Sequence, residues 1–146
     1  MSRRSPSLVL AHVVWATYRR QPRLTIESDE ALLGILGATA AAAGCALLSA
    51  GCGADHVHVA IRLAPSVALS DLVRRLKGVS SHDMNVRLAS GERITWQAGY
   101  WAESFSPTDM TPLATYIRNQ RRHHDDSHPA EAWQRAAEPF DDEHAR

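Results

Sequence analysis

Two short runs of residues carry types and spacings that could do chemistry. The first is Asp55-His56-Val57-His58-Val59. In a strand, residues two apart share a face and lie about 6.5–7 Å from each other along the backbone. His56 and His58 could therefore converge on one cation. Imidazole suits Zn, Mn, Fe, Ni and Cu, so the pair alone does not name an ion. The same pattern also fits two polar residues on a solvent-facing strand face. Asp55 could hydrogen-bond a ring nitrogen, as carboxylates behind metal-binding histidines do, but reads best as a turn residue. The second run is Tyr116-Ile117-Arg118-Asn119-Gln120. Tyr116 and Gln120 are four apart, hence stacked on one helix face. Leu113, Tyr116, Ile117 and Gln120 together follow the spacing of an ordinary core stripe. Spacing alone therefore favours a packed tyrosine with its hydroxyl at the edge, although a glutamine in such a stripe wants a polar partner.

Basic residues form a third group. Arg19, Arg20 and Arg23 follow the first apolar run. Arg74, Arg75 and Lys77 lie within RRLKGVSS, and Arg118, Arg121, Arg122, His123 and His124 surround the tyrosine. Arg19, Arg74, Lys77, Arg118, Arg121 and Arg122 are the candidates for nucleic-acid phosphate contacts. A charged outer helix face would look the same. The net charge of +0 is uneven. Residues 1–124 hold 14 Arg/Lys and 9 Asp/Glu, a net +5, whereas residues 125–146 hold 2 and 7, a net −5. All but one of the 16 basic residues are arginine, the side chain suited to bidentate phosphate contacts, although a GC-rich genome gives the same bias. A basic body permits nucleic-acid binding without requiring it. The acidic end reads as a solvated tail, with a short docking helix around Trp133 as the alternative.

These residues need elements to hold them. Leu8 to Tyr18 reads as a strand, central because both faces are apolar. Ser28 is the expected N-cap of a helix carrying Leu32, Leu33, Ile35 and Leu36, with Asp29 and Glu30 in its first turn and Gly44 as its stop. Ala46 to Ser49 is a second strand, with Gly51 and Gly53 punctuating a turn. Asp55 to Leu63 alternates strictly: Val57, Val59 and Ile61 face one way, and His56, His58, Ala60 and Arg62 the other. Ser70 and Asp71 open a helix with the stripe Leu69, Leu72, Val73, Leu76 and Val79, in which Gly78 could cause a bend. Ile94 to Phe105 is one strand or two short ones. Thr111 and Pro112 start a last helix, to about His124. Strand, helix, strand, strand, helix, strand, helix predicts an α+β ferredoxin-like sandwich: an antiparallel sheet with helices on one face, plus a C-terminal helix bearing Tyr116.

DHVHV on a strand, LKGVSS on the next helix, WQAGYWAESFS after it and then YIRNQRRHH occur in an order and spacing that resembles the single-tyrosine HUH transposases of small bacterial insertion sequences and their REP-associated relatives. HUH denotes His, hydrophobic, His, here His56, Val57 and His58. The likeness spans about residues 8–124. It implies that Tyr116 is the nucleophile, that His56 and His58 are metal ligands with Gln120 as the third, and that the cofactor is Mg2+ or Mn2+. Lys77 and Gly78 match a helix motif of the family. The implied reaction is cleavage and rejoining of hairpin-bearing single-stranded DNA through a 5′-phosphotyrosine link. A phenol has an ordinary pKa of about 10, so a nearby metal and arginines would favour its ionised form. The resemblance further implies a homodimer in which one chain's helix completes the other's histidine site, with residues 106–111 as the hinge. Trp96, Tyr100 and Trp101 could stack on unpaired bases, or be strand core, the stronger expectation for at least two of them.

Length and composition set the outer bounds. A chain of 146 residues with 45% apolar residues fits one globular domain, here 1–124 followed by the tail 125–146. No stretch makes a good membrane span, the N-terminus lacks the apolar core of a secretory signal, and two cysteines make no disulfide framework, so a reducing cytoplasm is expected, with action at the nucleoid. No Walker-type phosphate loop is present. Other readings are a domesticated REP-associated enzyme acting on dispersed palindromes, a catalytically inactive hairpin-binding protein, and a small zinc hydrolase, which lacks an evident third ligand.

Overall fold

The computed structural model describes residues 6–88 and 93–121. The elements are β1 (Val9–Ala16), α1 (Ile26–Ala42), β2 (Ala46–Cys52), β3 (His56–Leu63), α2 (Leu69–Leu88), β4 (Trp101–Ser104) and α3 (Met110–Arg118), with 3-10 turns at Tyr18–Arg20 and Pro107–Asp109. The strands form one antiparallel sheet in the order β2-β3-β1-β4. This is the expected ferredoxin-like α+β arrangement, and β1 is central as its two apolar faces required.

The strand alternation splits the sheet into two differently used faces. Val13 and Trp15 of β1 and Val57, Val59 and Ile61 of β3 point toward Leu32 and Leu36 of α1 and Leu72, Leu76 and Met84 of α2, forming the core. His12, Val14, His56 and His58 take the opposite face, with Val14 paired to His58 and Ala16 to His56. That face is not open to solvent. α3 packs across β2 and β3 and both histidines are fully buried, so the reading of a solvated strand face is corrected.

Several boundaries also differ from expectation. α1 begins at Ile26 because Thr25, not Ser28, is its cap. Thr25 Oγ1 accepts from Ser28 N and Ser28 Oγ accepts from Thr25 N, both at 3.2 Å, so Ser28 is the reciprocal half of a capping box. β2 runs on to Cys52 after a register irregularity between Leu47 and Ser49, which places Gly51 inside a strand rather than in a turn. α2 is one helix through Gly78. The Ile94–Phe105 segment divides into a single bridge, Trp96 against Thr17, and the short β4. α3 starts one residue before Thr111 and is capped at Asn119, whose N–H returns to the Thr115 and Tyr116 carbonyls. The part of this expected helix beyond Arg121, with the acidic tail and its docking helix, lies outside the described residues. No helix among them is long and apolar enough to cross a membrane.

Candidate active site

His56 opens β3 directly after the turn that follows β2. Its Nδ1 donates to Asp55 Oδ1 at 2.8 Å. Asp55 in turn accepts from Arg20 Nε at 3.1 Å and Nη2 at 3.3 Å. Burial alone would raise the Asp55 carboxyl. The bonds from His56 and Arg20, with the Arg20 charge, outweigh it and bring the pKa down to about 2. Asp55 is thus more than the turn residue expected from sequence. Arg20 reaches it from a tight turn in which Arg19 and Arg20 both have positive φ, 54° and 55°. Such backbone costs on the order of 1–3 kcal/mol per residue and persists only where its surroundings enforce it. Here Thr17 Oγ1 donates to Gln21 O at 2.7 Å and Thr17 N to Asp55 O at 2.8 Å.

α3 brings the second run to the histidines. Gln120, fully buried one residue past the Asn119 cap, points Oε1 at His56 Nε2, 3.2 Å away. Its Nε2 donates to Tyr116 O at 3.2 Å, which fixes the amide's orientation. Because a carboxylate only accepts, Nδ1 of His56 carries a proton. Nε2 then faces an acceptor oxygen, an arrangement that needs a proton or a cation between the two. Octahedral ligands at about 2.1 Å from Mg2+ lie about 3 Å apart on adjacent vertices, so this spacing fits a shared divalent ion. The Tyr116 ring lies edge-on to His58, centroids 5.8 Å apart. Among the described residues no three His, Cys, Asp or Glu side chains gather to hold a metal. A metal held by the two histidines would need a further donor of another type, and the Gln120 carbonyl oxygen is the one that faces His56.

Two glycines make this convergence sterically possible. A Cβ on Gly51 of β2 would collide with the Ile117 carbonyl, and one on Gly53 would run into the His56 ring, with Nδ1 at 2.9 Å. Ser49 Oγ donates to Ala114 O at 3.0 Å. At the far end of the helix, Arg121 Nε and Nη2 both reach the Asp29 carboxylate at 2.7 Å. Strand β2 and the start of α1 thus hold the middle and the C-terminal end of the tyrosine helix within one chain.

The profile of the family described as Transposase IS200 like matches residues 5–120. The chain belongs to the IS200-like transposase family. It is 28% identical over 114 residues to the ISDra2 transposase TnpA of Deinococcus radiodurans, covering 75% of this chain and 81% of that one. It is 25% identical to the transposase for insertion sequence element IS200 of Salmonella typhimurium, covering 75% and 74%. A crystal structure from Deinococcus radiodurans R1, assigned as a transposase, superposes with a TM-score of 0.65 at 26% identity, covering 83% of this chain and 97% of that one. A REP-associated tyrosine transposase bound to a REP hairpin has the same fold, with a TM-score of 0.60 at 17% identity over 85% and 74% of the two chains. Family membership makes DNA cleavage and transfer the class of activity, a class of enzyme that generally depends on metal.

The basic residues of this IS200-like transposase divide by position. Arg118 is exposed on α3, where its Nη2 donates to Thr115 Oγ1 at 3.4 Å, and Arg19 is exposed in the turn after β1, stacked 5.2 Å over the Tyr18 ring. Arg74 sits on α2, across the sheet, in a surface pair with Asp71. The Lys77 ammonium donates to Gln97 O and Gly99 O, both at 2.8 Å, tying the segment before β4 to α2, and burial pulls its pKa down to about 8. Arg121 holds Asp29, and Arg122 lies outside the described residues. Trp96 and Tyr100 pack against the core, whereas Trp101 lies on the histidine face, edge-on to His12. His12 itself escaped the sequence reading. Its Nε2 is 2.9 Å from His58 Nδ1, and the only local signal was a lone histidine inside the apolar β1.

Proposed function

We propose that this transposase cleaves and rejoins single-stranded DNA at hairpin-containing element ends, with Tyr116 as the nucleophile. The observation that carries the reading is the meeting of Gln120 with His56 at 3.2 Å across 64 residues of sequence, in the same helix–sheet contact that lays Tyr116 on His58. The Tyr116 phenolic oxygen attacks phosphorus, the bond to the 3′-oxygen breaks, and the phenol's proton passes through solvent to the departing 3′-hydroxyl. A 5′-phosphotyrosine link remains. The 3′-hydroxyl of a second strand attacks that link and returns the phenol. One phosphodiester replaces another, so no nucleotide triphosphate is consumed.

His56, His58 and Gln120 would hold Mg2+ or Mn2+, which when bound neutralises charge on the oxygens of the scissile phosphate. Asp55 holds the His56 ring, and Arg20 holds Asp55. Arg19 and Arg118, both exposed, are the phosphate contacts this reading proposes, with Arg122 as a further one. Arg74, Lys77 and Arg121, as they stand, serve the protein's own structure first. The catalytic unit is residues 1–124, and 125–146 form an acidic tail that limits nonspecific DNA binding. The enzyme acts at DNA in the cytoplasm.

The exposed link Ser106–Asp109 between β4 and α3 is where the chain would cross over in a homodimer whose tyrosine helices exchange between copies and take the same seat on β2 and β3. Mixing Tyr116→Phe with His56→Ala tests this: exchanged sites restore adduct formation, and separate sites do not. For the chemistry, labelled hairpin strands with Mn2+ on denaturing gels should give a covalent adduct with the native chain. Tyr116→Phe should give none while binding hairpin normally, and His56→Ala or a chelator should abolish cleavage. An adduct that survives Tyr116→Phe removes that residue from its role.

A further inference from the structure

His12 lies on β1 opposite Ala60, whose methyl side chain leaves room for the imidazole to lean diagonally toward His58. The two ring planes are 28° from parallel with centroids 5.1 Å apart, and His12 Nε2 comes to 2.9 Å from His58 Nδ1. On its other side His12 is braced edge-on by Trp101, centroids 5.2 Å apart at 81°. It is 9% exposed, so its ring has little freedom to turn away.

In such a contact one nitrogen donates and the other accepts, and the choice decides what His58 can do. If His12 donates, His58 carries its proton on Nε2 and that atom cannot ligate a cation. If His58 donates from Nδ1, the Nε2 lone pair is left for an ion. Asp55 makes this choice for His56 by accepting from Nδ1, and a carboxylate cannot do otherwise. His58 has a neutral imidazole in the equivalent place, where either direction is chemically possible. We propose that His12 is a positioning residue that accepts from His58 Nδ1–H, fixing the His58 tautomer and ring plane so that Nε2 serves the metal. This rests on the reading of His58 as a ligand, but the tautomer can be measured without metal.

The test uses the full chain, metal-free, in long-range proton–nitrogen spectra of its histidines. In the native protein His58 should carry its proton on Nδ1, with Nε2 bare. His12→Gln, whose side-chain oxygen can accept in place of Nε2, should retain this tautomer. His12→Phe, which keeps a ring but no acceptor, should shift His58 toward Nε2–H. Mn2+ affinity, followed by electron paramagnetic resonance of the free ion, should fall about 10–100-fold in His12→Phe and recover to within about threefold in His12→Gln. A native His58 protonated on Nε2 overturns the proposal, whether or not His12→Phe folds. So does a folded His12→Phe with unchanged tautomer and Mn2+ affinity. The predicted tautomer in a native chain that binds no Mn2+ supports the role of His12 and refutes instead the reading of His58 as a ligand.

Discussion

Replacing Gly51 by alanine puts a methyl group where β2 meets the tyrosine helix. Its carbon would stand 2.9 Å from the Ile117 carbonyl carbon and 3.4 Å from Arg118 Cα, and nearer still to the Ile117 oxygen. Carbon atoms rest about 3.5–4.0 Å apart, and the obstacle is backbone with no rotamer to yield, so helix and strand must part by on the order of 1 Å. Overpacking of this kind costs about 1–3 kcal/mol, within the usual stability of about 5–15 kcal/mol, so the variant should fold. Ile117 lies between Tyr116 and Gln120, and both move with it. A misplacement of about 1 Å at reacting groups is worth roughly 10²-fold in rate. Single-turnover adduct formation on a fluorescent hairpin strand with Mn2+ should therefore slow by about that factor, with weaker Mn2+ binding as Gln120 retreats. Hairpin affinity without metal should stay within about threefold. The expectation is the same whether the helix seated on Gly51 comes from its own chain or from a second copy. A folded Gly51→Ala protein with the native adduct rate would refute the claim that this seating is the reactive arrangement.

Asp29→Asn removes the carboxylate that Arg121 grips through two 2.7 Å bonds, and should cost about 1–2 kcal/mol in urea melts and several-fold in adduct rate. Unchanged melting would mean the pair does not anchor α3. Asp55 titrates at about 2 in the folded chain against 3.8 ordinarily, so the unfolded chain takes up the proton first. Its contribution is complete above about pH 4–5 and is lost as pH falls toward 2. After allowance for partial exposure, the native chain's advantage over Asp55→Asn should shrink by about 1–2 kcal/mol between pH 5 and 2.5, and a constant difference would contradict the depressed pKa. Burial, with the Asp29 charge next, pushes the Cys52 thiol up to about 12. Alkylation at pH 8 should thus label Cys52 only after denaturant is added, and rapid labelling of the folded chain would show the β2–α3 contact to be open.

The order of elements, the central place of β1, the shared face of His56 and His58 and the shared face of Tyr116 and Gln120 could all be read from residue types and intervals. These follow from the two-residue repeat of a strand and the 3.6-residue repeat of a helix, which are properties of the local backbone. The resemblance of four ordered motifs then supplied the family. Sequence spacing did not reveal that the histidine face is covered. It also missed that His12 reaches His58 across 46 residues, that Arg121 spends its guanidinium on Asp29, and that Gly51 sits against a helix rather than in a turn. Each of these depends on which strands become neighbours and where α3 comes to rest. Periodicity fixes the direction a side chain leaves its own element, but the partner it meets is set by packing between elements distant in the chain.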